Sequence, residues 1–109
     1  MAATDDVLNE SQVDAALAEL PDWRHRLGGL VTAYKAPTAA AALDLIAAVG
    51  RLAEEQNHHP DLDWRYKRVL LRYSSHDAGD QVTRRDVAAA AAASAAAARI
   101  GAIAEPPPE

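Results

Sequence analysis

Four residues of this chain could move protons together: Glu54, His58, His59 and His76. Imidazole is the side chain whose ordinary pKa lets it both take and give a proton near neutral pH. A carboxylate bonded to one ring nitrogen fixes the tautomer and makes the other nitrogen a better base. In "AEEQNHHPDLDWRY", residues 53–66, Glu54 precedes His58 by four residues, so both lie over one patch if the helix persists that far. Glu54 is therefore predicted to orient His58. His59 must point elsewhere, about a hundred degrees away on a helix or to the opposite side of an extended chain. Pro60 ends the helix and holds both rings there. His76 can meet the pair only through the fold, and three imidazoles would then surround one small pocket.

Three other readings compete. The plain alternative for "HHP" is a solvated helix end. A metal site is not predicted: the rings of adjacent histidines diverge, the chain has no cysteine, and no helical His-x-x-x-His pair is present. A Ser-His-Asp hydrolase built on Ser74, Ser75, His76 and Asp77 fails because strand neighbours cannot converge on one atom, and no nucleophile elbow accompanies them. His25, in "DWRHR", reads as a solvated strand residue.

The elements that must position these groups follow from the punctuation. Ser11 and Asp14 read as a variant capping box for a first helix carrying Val13, Ala16, Leu17 and Leu20, stopped by Pro21. Short runs at 23–27 and 30–36 flank Gly28 and Gly29, which suit the positive φ of a hairpin turn. Thr38 caps a long helix to about Gln56, apolar over most of its circumference, with only Asp44, Arg51 and Glu55 on a polar stripe. "LDWRYKRVLLRYSSH" then alternates as a second hairpin turning near Lys67 and Arg68. Thr83 and Asp86 form another variant capping box, opening an alanine-rich helix from Val87 to Ala104. The order is α-β-β-α-β-β-α. It predicts an α+β fold, a four-stranded antiparallel sheet with three helices packed on one face. The chain reads as a single domain over 1–109, with 1–9 and the "EPPPE" end at 105–109 as loose termini.

Composition narrows the function. Sixteen acidic against 11 basic residues give a net charge of −5, which would repel a phosphate backbone, so nucleic-acid binding is not expected. With no cysteine and neither a signal-like start nor a long apolar run, no membrane association and a cytoplasmic protein are the expectation. Half the residues are apolar, and alanine dominates that half; phenylalanine is absent, and two Trp and three Tyr supply the aromatic bulk. So thin a core would gain from burial against a second subunit. Some of Leu43, Leu45, Ile46, Val49 and Leu52 would face water in a monomer, which predicts a homo-oligomer, a homodimer or a homotetramer.

The stretch "AEEQNHHPDLDWRYKRVLLRYSSHDAG" closely resembles the signature of the pterin-4a-carbinolamine dehydratases. That signature is an acidic residue, three positions, His-His-Pro, an aromatic-bearing strand, a Ser/Thr-Ser/Thr-His strand end, and an Asp opening the last helix. The resemblance runs from "LPDWR" to about Ala90. It implies the same α-β-β-α-β-β-α fold and the activity of a 4a-hydroxytetrahydrobiopterin dehydratase. The substrate would be a pterin, the spent cofactor of aromatic amino acid hydroxylases, with such a hydroxylase as a functional partner and no cofactor or metal needed. Carried over by position, His58, His59 and His76 are the catalytic set. Glu54 takes the upstream acidic position and Asp86 the aspartate of the last helix, as substrate-binding or orienting residues. His58 and His76 are the favoured proton-transfer pair, with His59 nearer to substrate positioning.

The chain also departs from the pattern. Where the family reads "HDAGGLTxxD", this sequence has "HDAGDQVTRRD", one residue longer and with Asp80 at the second glycine. Lys67 stands at a turn position usually held by asparagine, and alanine and leucine replace phenylalanines on the long helix. Relatives also act as a transcriptional coactivator or as assembly factors. A non-catalytic binding protein of the same fold is therefore the rival reading.

Overall fold

The computed structural model of the chain describes residues 7–108. Three helices, α1 (Glu10–Ala18), α2 (Ala39–Gln56) and α3 (Arg84–Ile100), cover one side of an antiparallel sheet. Its strands are β1 (Arg24–Arg26), β2 (Gly29–Lys35), β3 (Asp61–Arg65) and β4 (Arg68–Tyr73) in the order β1-β2-β4-β3, and a short β5 (Ile103–Ala104) pairs with β2. The α+β architecture is the one the sequence predicts, with β5 added.

Register explains the core. Leu30, Thr32 and Tyr34 of β2 stand opposite Tyr73, Leu71 and Val69 of β4, and all six are buried beneath the helices. Above them α2 places Ala42, Leu45, Val49 and Ala53, and α3 places Ala89, Ala90, Ala93, Ala96 and Ala97. Methyl side chains let the two helix backbones sit close together over the sheet. Trp23 fills the remaining volume, and one polar chain crosses it. The Trp23 indole N–H donates to Ser94 Oγ (2.8 Å), the Ser94 hydroxyl to Tyr34 (3.0 Å), and the Tyr34 hydroxyl to Asp22 (2.7 Å). Burial, reinforced by the Asp22 carboxylate, pushes the Tyr34 phenol well above its usual range.

Several boundaries differ from the sequence expectation, each for a local reason. The first helix is capped by Asn9, not Ser11: Asn9 and Gln12 form a reciprocal capping box, so α1 starts earlier. The first hairpin turns on Leu27 (φ 51°) and Gly28 (φ 75°), not on the two glycines, and the exposed Leu27 accepts a left-handed conformation that glycine takes more cheaply. The last helix stops at Ile100, where left-handed Gly101 caps it, and Ile103–Ala104 turn back as β5. The C-terminal stretch expected to be loose is therefore partly held: Glu105 N–H donates to the Ala33 carbonyl and its carboxylate pairs with Arg68. At the other end Val7 bridges to Thr83 and Leu8 bonds to Val82. Residues 1–6 and 109 of the expected loose ends lie outside the described residues. Of the five apolar side chains of α2 named as candidates for exposure, Leu45 and Val49 are buried, Ile46 and Leu52 are partly buried, and Leu43 is half exposed.

Candidate active site

The end of α2, the start of β3, the end of β4 and the start of α3 meet at one end of the sheet, and the three histidines sit there. The local cause is Asn57. It ends α2 in the left-handed conformation (φ 51°, ψ 44°), a C-terminal position that asparagine tolerates. The chain then turns so that His58 enters the protein, bonding Ala53 O through its own N–H, while His59 stays outside.

His58 is buried, and its Nε2 lies 2.6 Å from Oδ1 of the wholly buried Asp86. The other carboxylate oxygen of Asp86 accepts from Thr83 N–H (2.8 Å) and from Ser75 Oγ (2.9 Å). Because the Ser75 hydrogen goes to Asp86, the contact between Ser75 and Thr83 hydroxyls (2.8 Å) is donated by Thr83, which itself accepts from Arg85 N–H (3.2 Å). Every hydrogen therefore runs toward Asp86, as an ionised carboxylate needs when it is shut away from water. Such an acceptor requires Nε2 of His58 to carry a hydrogen, and in the neutral ring Nδ1 then holds the lone pair.

The expected pairing of Glu54 with His58 is not found. Since α2 ends at Gln56, the helical i, i+4 spacing is broken, and Glu54 Oε2 meets His59 Nε2 instead (2.6 Å), both groups being exposed. His76 opens a short 3-10 turn, His76–Ala78, and its Nδ1 lies 2.5 Å from Asp80 Oδ1. Asp80 occupies the place of the family's second glycine with φ 57°, a conformation aspartate adopts at some cost. Each of these three histidines thus has one ring nitrogen on a carboxylate: Asp86 for His58, Glu54 for His59, Asp80 for His76. The first two carboxylates were among the residues predicted from the sequence, Glu54 with a different partner. Asp80 registers in the sequence only as a departure from a pattern, and its signal was the four-residue spacing from His76.

Two further groups shape this end. Arg85 binds Asp77 through both terminal guanidinium nitrogens (2.9 Å each), and this bond holds the Asp77 carboxyl below the usual carboxylate range. The ring of Tyr73 lies nearly parallel to His58, centroids 6.0 Å apart at 15°. Ser75 links the sub-sites, because it donates to Asp86 and immediately precedes His76. Among the described residues no hydrogen bond joins one histidine to another, and no three His, Asp or Glu side chains are grouped to hold a metal ion. A groove of about 710 Å³ on the sheet, lined by Val31, Ala33, Leu70 and Arg72 and bordered by Glu105 and Pro107, has no histidine in its lining. The site is defined by the proton-transfer groups, not by that groove.

Residues 6–96 match the family described as pterin 4 alpha carbinolamine dehydratase. The chain belongs to that family. Among pterin-4-alpha-carbinolamine dehydratase relatives, a Mycobacterium leprae protein is 43% identical over 81 residues, 74% of this chain and 85% of that one. A Mycobacterium tuberculosis protein is 42% identical over 82 residues, 75% and 86% of the two chains. Both carry the name "Putative pterin-4-alpha-carbinolamine dehydratase". A crystal structure from Brucella melitensis, described as a "transcriptional coactivator/pterin dehydratase", superposes with a TM-score of 0.81 at 26% identity, covering 84% of this chain and 99% of that one. The dehydratase fold is thus shared across the helices and the sheet. Among the described residues, no helix is long and apolar enough to cross a membrane.

Proposed function

We propose that the protein removes water from a 4a-hydroxytetrahydropterin to give a quinonoid dihydropterin, by acid and base catalysis from histidine. The observation that supports this most directly is the buried His58–Asp86 pair at 2.6 Å. A buried carboxylate bonded to one edge of a buried imidazole prepares the other edge to accept a proton. His58 Nδ1 takes the proton from N5 of the pterin, and the N5 electron pair forms the double bond to C4a. The C4a–O bond breaks with its electron pair going to oxygen, and His76 supplies the proton with which the hydroxyl leaves as water. His76 is well exposed and its Nε2 has no hydrogen-bond partner among the described residues, so protons can return to it from solvent. His59, exposed and bonded to Glu54, is assigned the positioning of the ring.

Purified protein should accelerate the decay of a 4a-hydroxytetrahydropterin over its spontaneous rate. His58→Ala should lower the rate by a factor on the order of 10² to 10⁴. A well-folded wild-type protein that gives none would leave the non-catalytic binding role. In a cell the reaction would return the cofactor spent by an aromatic amino acid hydroxylase, and the cytoplasm is the proposed location.

A homo-oligomer is proposed as the working form. Leu43 on α2 and Trp64 on β3 are each about half exposed, and β3 ends the strand order with β4 as its one strand neighbour. Light scattering that returns the monomer mass at micromolar concentration would contradict this, and Leu43→Glu should dissociate the assembly.

A further inference from the structure

We propose that Tyr73 is a positioning residue for His58, clamping the plane of the imidazole so that Nδ1 is the edge presented for proton transfer. Three constraints act on that ring. Its backbone is fixed by the bond from His58 N–H to Ala53 O, and one edge is tied through Nε2 to Asp86. A single bond along one edge still allows the ring to rock about it. The third constraint removes this freedom: Tyr73 is fully buried, lies against the imidazole in an offset stack, and is itself wedged by Trp23, whose ring centroid is 5.7 Å away. His58 therefore has one edge bonded, one face flanked by an offset ring and one nitrogen with no hydrogen-bond partner among the described residues.

The hydroxyl of Tyr73 is not what does this. It is buried and makes no hydrogen bond among the described residues, so the ring alone bears on His58. A phenylalanine ring would serve equally. A leucine would fill much of the same space without a flat surface to stack on, and the imidazole would then rock about its bond to Asp86.

The catalytic consequence rests on the proposed function, but the ring geometry does not, and the test separates them. Nitrogen-15 NMR of histidine-labelled protein should show His58 in wild type and in Tyr73→Phe as one tautomer, hydrogen on Nε2, with a slowly exchanging Nε2 proton. In Tyr73→Leu that proton should exchange at least ~10-fold faster, by analogy with the local opening that loose packing permits. In the pterin assay, kcat should fall roughly tenfold in Tyr73→Leu at unchanged KM, and stay within about twofold of wild type in Tyr73→Phe. Circular dichroism and melting establish that the leucine variant is folded; if it is not, Tyr73→Met, flexible and of similar volume, takes its place. A folded leucine or methionine variant with wild-type exchange and kcat would overturn the proposal, as would a phenylalanine variant impaired as much as leucine. Wild-type protein with the expected NMR signature but no effect on pterin decay would sink the dehydratase reading and leave the clamp standing.

Discussion

Gly28, at the tip of the first hairpin, packs against the backbone carbonyl of Asp80 so closely that no Cβ could be placed between them. The turn of the β1–β2 hairpin is thereby a stop for the loop that carries His76. Gly28 also has φ 75°, which a side chain adopts only with strain. Gly28→Ala is expected to cost about 1–3 kcal/mol of stability and to displace the His76 loop. Thermal unfolding measures the first effect, and the catalytic rate at a temperature where the variant is still folded measures the second. An alanine variant as stable as wild type would show that the loop yields freely.

Asp80 pits stability against chemistry at one position. As a left-handed aspartate it is strained, while its carboxylate holds His76 Nδ1. Asp80→Gly should relieve strain of about 1 kcal/mol and slow the reaction. Because both partners are exposed, their bond is worth no more than about 1 kcal/mol, a rate loss of roughly two- to fivefold. Lower kcat with no loss of melting temperature is the expected pair of results; unchanged kcat would show that Asp80 is only a loop residue.

The histidines should separate by role. His58→Ala and His76→Ala are each expected to lower the dehydration rate by a factor on the order of 10² to 10⁴, the usual contribution of a positioned acid or base. His59→Ala should act mainly on KM, since that ring stands outside with Glu54. Steady-state kinetics decide it, and full activity in either of the first two variants would remove that residue from the mechanism.

Tyr73 also makes the protein sensitive to alkali. Burial, with the Asp86 charge adding to it, pushes its phenol up to about 12 from a reference of 10.0. The folded state thus keeps a proton that the unfolded chain has lost. The contribution to stability is whole below about pH 10 and drains away as pH rises toward 12, amounting to about 3 kcal/mol. Tyr73→Phe has no such proton and loses a buried donor without a partner, so it should be at least as stable at neutral pH. Urea unfolding at pH 7, 10 and 11 should show a shallower alkaline decline for phenylalanine; identical slopes would reject this account.

The sequence made the layers legible because the apolar spacing is regular. Leu45, Val49 and Ala53 follow a helical period, and Val69, Leu71 and Tyr73 a strand period. It also made Asp86 legible through the capping box with Thr83, which the structure contains. What it could not convey was direction after a helix end. Whether Glu54 meets His58 or His59 depends on one left-handed residue, Asn57, and nothing in the i, i+4 rule registers that turn. Long-range partners were equally hidden: Ser75 and Asp86 are joined only after β4 and α3 are folded together.

The alanine-rich helix has a bearing on heredity that its chemistry does not suggest. Ala89, Ala90, Ala93, Ala96 and Ala97 are buried while Ala88, Ala91, Ala95 and Ala98 face outward, so residues of one name are under opposite constraints. Repetitive coding tracts gain and lose codons in frame. One extra alanine inserted between Val87 and Ala93 would leave composition almost untouched, yet rotate every later residue by about 100°. Ser94 would swing away from Trp23 and Tyr34, breaking two of the hydrogen bonds that hold α3 to the core. For this protein the length of the tract, counted to the residue, carries information that its letters do not.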